Sequence, residues 1–70
     1  MNGNALRARM VLAGMNAKEL CDKTGIGTSA FYRKIAGRTE FTQGEISEIS
    51  RVLGLTHDEL CEIFFAEKVS

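Results

Sequence analysis

The sequence predicts an all-α fold, one compact domain of five helices, on three observations. Glycines at 14, 25, 37 and 54 each follow a stretch with helical apolar spacing, where a left-handed residue without a Cβ stops a helix. Capping sequences open three segments: Asn16-Ala17-Lys18-Glu19, Thr42-Gln43-Gly44-Glu45 and Thr56-His57-Asp58-Glu59. No alternating run of β-branched and aromatic residues lies between turns, so no strand is expected. Seventy residues with 44% hydrophobic content, no proline and no low-complexity tract suit a single domain over 1–70.

The first helix is expected near 4–13, with Leu6 and Met10 facing inward. The second covers 17–24, where Asn16 caps, Met15 staples onto Leu20, and Leu20 and Cys21 face the core. A third runs over 28–36 behind Gly27, a weaker cap than Ser or Thr; Ile26 and Phe31 repeat the staple spacing, and Phe31 and Ile35 point inward. The fourth, 43–53, starts at Thr42 with Phe41 against Ile46, and turns Ile46, Ile49 and Leu53 to the core. The fifth, 57–66, starts at Thr56 with Leu55 against Leu60, and buries Leu60, Ile63 and Phe64. Connections of about two to six residues suffice to join them.

Nine Lys and Arg balance nine Asp and Glu, but the charges are sorted along the chain. Residues 1–39 hold seven basic and two acidic residues, a net of +5, and residues 40–70 hold two basic and seven acidic, a net of −5. The first half is the one set up to meet a polyanion. Cys21 and Cys61 lie forty positions apart, each inside an apolar helical pattern, which predicts reduced thiols in a cytoplasmic protein. Two sulfurs and the single imidazole of His57 do not supply the four ligands of a zinc site, so no metal or other cofactor is expected. There is no apolar run of about eighteen residues and no signal-peptide core, which excludes a membrane partner. A chain this short has little interior for a small-molecule ligand, and its length predicts no appended inducer-binding or self-cleaving domain. An enzyme is not expected: His57 has no partner, neither cysteine lies beside a predicted base, and Ser29 and Ser47 lack an activating group. The glycines also lack the Lys and Ser/Thr of a phosphate loop.

Between Thr24 and Thr28 only Gly25-Ile26-Gly27 make the connection, so two short helices must cross steeply there. At 3.6 residues per turn, Thr28, Ser29, Tyr32, Arg33 and Ala36 share an arc of about 140° on the third helix, which leaves out Phe31 and Ile35, the inward-pointing pair. That arc carries hydroxyls, a phenol and a guanidinium without a carboxylate, an inventory suited to the major groove of DNA. Arg33 can donate a fork of hydrogen bonds to O6 and N7 of guanine, and Tyr32 can donate to a phosphate or lie on a thymine methyl. Thr28 and Ser29, small residues at the helix start, let the backbone approach base edges. Phosphate contacts are expected to flank this face and set its register: the backbone N–H groups at Ala17 with Lys18, then Arg38 and Thr39 past Gly37, and Arg9 as a further contact.

The run Asn16-Ala17-Lys18-Glu19-Leu20-Cys21-Asp22-Lys23-Thr24-Gly25-Ile26-Gly27-Thr28-Ser29-Ala30-Phe31-Tyr32-Arg33 resembles the helix-turn-helix of the phage repressor and Cro family. The stretch Phe31-Tyr32-Arg33-Lys34-Ile35-Ala36-Gly37, with Glu40-Phe41 after it, is similar to small Cro-like regulators of phages and prophages. The resemblance extends over nearly the whole chain. It implies a lambda-repressor-like domain with its helix-turn-helix over 16–37, acting as a sequence-specific, double-stranded DNA-binding transcriptional regulator, a repressor in a bacterial or phage-infected cell. Family members usually place Gln where Ala17 stands, and often join helices one and three by an Arg–Glu pair where this chain has Met10 and Ile35. An apolar contact in place of a buried ion pair need not weaken the fold. Lys34 falls by angle near the inward side: either its stem packs while the ammonium snorkels outward, or the third helix is rotated.

The fifth helix carries an apolar arc of about 200°, more than one core face requires. Cys61, Phe65 and Val69 are expected to stay outside the chain's own core as a homodimer surface, and two copies would meet operator half-sites roughly 34 Å apart. The rival reading is a protein-binding adaptor or antitoxin-type module that docks its partner through the same apolar end.

Overall fold

Local hydrogen bonding sets the helix boundaries in the computed structural model, which describes residues 1–65. Five α-helices follow in order: α1 (Gly3–Leu12), α2 (Ala17–Thr24), α3 (Thr28–Ile35), α4 (Gln43–Leu53) and α5 (His57–Phe64). No strand occurs among the described residues. All three capping boxes form, each with the cap side chain accepting from the backbone of the third helical residue and the glutamate accepting in return. In α2, Asn16 Oδ1 accepts from the Glu19 N–H at 2.8 Å, and Glu19 Oε1 accepts from the Asn16 N–H at 3.1 Å. The start of α1 has a cap that the sequence pattern did not announce: Asn2 Oδ1 accepts from the Ala5 N–H at 3.1 Å.

The glycine stops are of two kinds. Gly14, Gly25, Gly37 and Gly54 all hold positive φ, between 66° and 83°. After α3, the Gly37 N–H donates to the Lys34 carbonyl at 3.1 Å and the Arg38 N–H reaches back to the Arg33 carbonyl at 2.9 Å, a paired closure repeated after α1 and α4. After α2 the Gly25 N–H alone closes the helix, onto the Cys21 carbonyl at 2.8 Å. This single bond frees the chain to place Ile26 in the core and restart at Gly27, whose extended backbone caps α3. The fifth helix ends at Phe64, two residues before the expected limit, because Phe65 leaves the helical region with φ −117° and ψ 17°.

Each helix sends one side chain fully into the centre: Leu6, Leu20, Phe31, Ile49 and Ile63 are all 0 or 1% exposed. Around them α2 packs on α3 and α4, and α5 packs on α1 and α4. Met10 and Ile35 both join this core, and the Asn2 N–H ties the chain start to α5 by donating to the Ile63 carbonyl at 2.7 Å. Leu53 and Leu60, expected inside, are half-buried and pack against the edge of the core. Ser50 is an addition to the interior: it is buried, and its Oγ has no hydrogen-bond partner among the described residues. An edge-to-face series of rings, Tyr32 to Phe31 to Phe41 to Phe64, with centroids 5.5 to 6.0 Å apart, connects α3 through the following loop to α5.

Candidate nucleic-acid interface

Burial of Phe31 and Ile35 fixes the rotation of α3, and with it what the helix shows to solvent. Thr28, Ser29, Tyr32, Arg33 and Ala36 are all exposed, Tyr32 by 56%. No side chain caps the start of α3, and a Cβ built on Gly27 would meet nothing within 4 Å. The fold does not itself demand glycine there, since φ is −65°, and the missing side chain leaves open space beside Thr28 and Ser29. At the other end of the helix the paired closure at Gly37 ties the Arg38 N–H to the Arg33 carbonyl, and Arg38 and Thr39 are both exposed.

The N-terminus of α2 presents Lys18 exposed and Ala17 half-buried. Ala17 therefore has only its backbone N–H to offer an anion, while the Glu19 carboxylate of the capping box stands at the same helix end and opposes one. Arg9 lies apart from these groups: its Nη2 pairs with Glu59 Oε2 at 2.7 Å, between α1 and α5.

Lys34 corrects one expectation. Its ammonium does not snorkel to water; it holds both carboxylate oxygens of Glu45 on α4, at 2.5 and 2.6 Å, and sits 5.9 Å from the centre of the Phe41 ring. The side chains are only 15% and 22% exposed. A tertiary ion pair thus joins the outward-facing helix to α4, through the same glutamate that caps α4 at Thr42. Replacing either partner alone, in Lys34→Met or Glu45→Gln, is expected to cost about 1.5–3 kcal/mol, because a poorly hydrated charged group loses its hydrogen bonds. The double variant should cost less than the two together, by roughly 0.5–3 kcal/mol in urea unfolding. Strict additivity would show that the pair contributes nothing.

These two ion pairs also draw the sorted charges of the sequence together. Arg9 and Lys34 from the basic half neutralise Glu59 and Glu45 from the acidic half, while Arg7, Lys18, Lys23, Arg33 and Arg38 form no ion pair among the described residues. Burial works to raise the Glu45 carboxyl, but the Lys34 hydrogen bond and charge and the Thr42 backbone and hydroxyl groups outweigh it and hold the group below the ordinary value of 4.5. For Glu59 the Thr56 N–H dominates; burial opposes it, the Thr56 hydroxyl and the Arg9 charge add to it, and the net direction is again downward. A carboxyl that is more acidic folded than unfolded stabilises the protein above its unfolded value and stops doing so as pH falls through the folded one. The melting temperature should therefore fall on acidification below about pH 4.5, and more steeply than in a Glu45→Gln/Glu59→Gln variant. Equal acid slopes in the two proteins would contradict this account.

Just past the end of α5, Phe65 is 56% exposed, and it edges an open groove of about 550 Å³ bounded also by Met1, Gly37, Phe41 and Phe64. Cys61 is half-buried, and Val69 lies outside the described residues. Cys21 is buried, and burial, aided by the Asp22 charge, pushes its thiol up. The expectation that neither cysteine lies beside a base is corrected at Cys61, whose Sγ stands 3.6 Å from His57 Nε2. The four-residue spacing on one helix was the signal for it, and it was legible in the sequence.

No helix among the described residues is long and apolar enough to cross a membrane. Comparison with protein families finds that the model described as Cro/C1-type HTH DNA-binding domain matches residues 5–66. Neither the curated proteins nor the solved structures provide a match.

Proposed function

This chain belongs to the Cro/C1-type HTH DNA-binding domain family, and from that premise we propose a sequence-specific regulator of transcription that enters the major groove of double-stranded DNA with α3. It acts as a repressor of the small phage and prophage Cro type, in the cytoplasm where its operator is. The observation that carries this reading is the exposed arc of Thr28, Ser29, Tyr32 and Arg33 on a helix whose rotation is set by Phe31 and Ile35. Arg33 and Tyr32 read bases, Thr28 and Ser29 allow the close approach that the bare Gly27 leaves room for, and Lys18, Arg38, Thr39 and the Ala17 N–H hold phosphates. Arg9 is the weakest member of this set, since it must leave Glu59 to reach a phosphate.

Two copies associate about a twofold axis through α5, with Cys61 and Phe65 at the contact. One short recognition helix reads only a few base pairs, so pairing the copies doubles the site read. Selection of bound fragments from random duplex DNA should return two symmetric half-sites about one helical turn apart. With about three phosphates neutralised per chain, the log–log dependence of affinity on salt should have a slope near −5 for the dimer.

Arg33→Ala should lose roughly 5- to 150-fold in affinity for the selected site and relax selectivity at one base pair. Arg38→Ala should weaken all duplexes alike and reduce the salt slope by about one per chain. Equal losses on every duplex for both variants would refute this division of labour. If no duplex is bound even at low salt, the exposed Phe65 favours the adaptor reading instead.

A further inference from the structure

We infer that His57 and Cys61 form one half of a tetrahedral site for a divalent cation of the zinc class, completed by the same two residues of a second copy. The inference rests on the twofold association through α5 proposed above, and adds a ligand to it. Four residues apart on one helix, the two side chains share a face, and Cys61 Sγ lies 3.6 Å from His57 Nε2. A tetrahedral zinc with bonds of about 2.3 Å to sulfur and about 2.0–2.1 Å to nitrogen requires those two atoms to be about 3.6 Å apart. The pair is therefore already at the bite distance of a chelate, and a cation entering it displaces the thiol proton.

Neither residue is needed by the core. His57 is exposed and Cys61 half-buried with a free thiol, in contrast to the buried Cys21. Two donors do not close a structural site, and among the described residues no cluster of three or more His, Cys, Asp or Glu exists. A single chain is thus half of a ligand set.

A second copy is the source we assign to the missing half, because His57 and Cys61 lie one helical turn apart on α5 and the exposed Phe65 follows just past the helix end. A twofold contact brings a surface patch against its own copy, so an axis passing beside Cys61 sets two His–Cys pairs face to face as an N2S2 site. One cation binding there displaces two thiol protons, and its two positive charges are balanced by two thiolates. Because the cation binds only the paired form, it shifts the monomer–dimer equilibrium by mass action, and DNA affinity follows.

The test is a cobalt(II) titration of the full chain, held reduced with a phosphine, alongside sedimentation with zinc or with a chelator. The expected result is the visible bands of tetrahedral cobalt thiolate, saturating at one cobalt per two chains, with zinc tightening self-association at least about tenfold. Cys61→Ser and His57→Ala, both at positions outside the core, should keep the helical circular dichroism of the parent and lose both effects. Absence of the cobalt bands overturns the site. If the protein is then still a dimer that Cys61→Ser leaves intact, the association stands without the metal; if it is a monomer under all conditions, both fall. Saturation at one cobalt per chain without dimerisation overturns completion by a second copy.

Discussion

Phe31→Ala is expected to remove most of the stability of this domain. The ring is 1% exposed and makes edge-to-face contacts with Tyr32 and Phe41, the latter passing on to Phe64 of α5. Truncating a buried phenylalanine costs about 3–5 kcal/mol, since the cavity closes only partly. A domain of this length has a total of only about 4–10 kcal/mol. The variant should show a broad transition at much lower temperature in thermal melts, while Phe31→Leu, which keeps most of the apolar volume, should lose about 1.5 kcal/mol or less. The consequence is functional as well, because the same ring turns Tyr32 and Arg33 outward. A Phe31→Ala protein that melts like the parent would leave the orientation of that face without a physical basis.

Gly3→Ala should also destabilise, against the sign that helix propensity alone assigns. In a helix interior alanine is favoured over glycine by about 0.5–1 kcal/mol, and the advantage at a first turn is no larger. A Cβ at Gly3, however, would lie 2.7 Å from the Ile35 carbonyl oxygen and 3.4 Å from Ile35 Cγ1. The first of these neighbours is backbone at the end of α3 and does not move aside as a flexible side chain does. Overpacking of this kind costs about 1–3 kcal/mol, so the net effect should be a loss. For a domain of this size each kilocalorie lowers the melting temperature by about 4–8 °C. Asn4→Ala, at the exposed neighbouring position, should show no such drop. A higher melting temperature for Gly3→Ala would mean that α1 shifts freely away from α3 and that the contact does not constrain the fold.

The outward arc of α3 was legible in the sequence because it follows from one local fact, the inward direction of Phe31 and Ile35, together with the helical repeat. The start of α1 was less so: Asn2 caps it without the glutamate that completes the three capping boxes, and its N–H is held by Ile63, a residue at the far end of the chain. Lys34 was ambiguous for a different reason. Its angle near the inward side was read correctly, but whether a half-buried ammonium finds water or a carboxylate depends on which helix lies beside it. His57 and Cys61 are visible as a pair by spacing alone, yet the apolar arc claims Cys61 for a partner surface and leaves His57 without a partner, and their contact emerges only in the folded helix.

By itself, then, the sequence determined the five helices, their caps and stops and nearly all of the inward positions. These depend on hydrogen bonds and contacts that reach no more than about five residues along the chain. Only the tertiary structure decided that Arg9 meets Glu59, that Lys34 binds α3 to Glu45 on α4, and that Gly3 must stay bare against Ile35. Each of those contacts joins separate helices, and their relative placement follows from how all five central side chains pack at once.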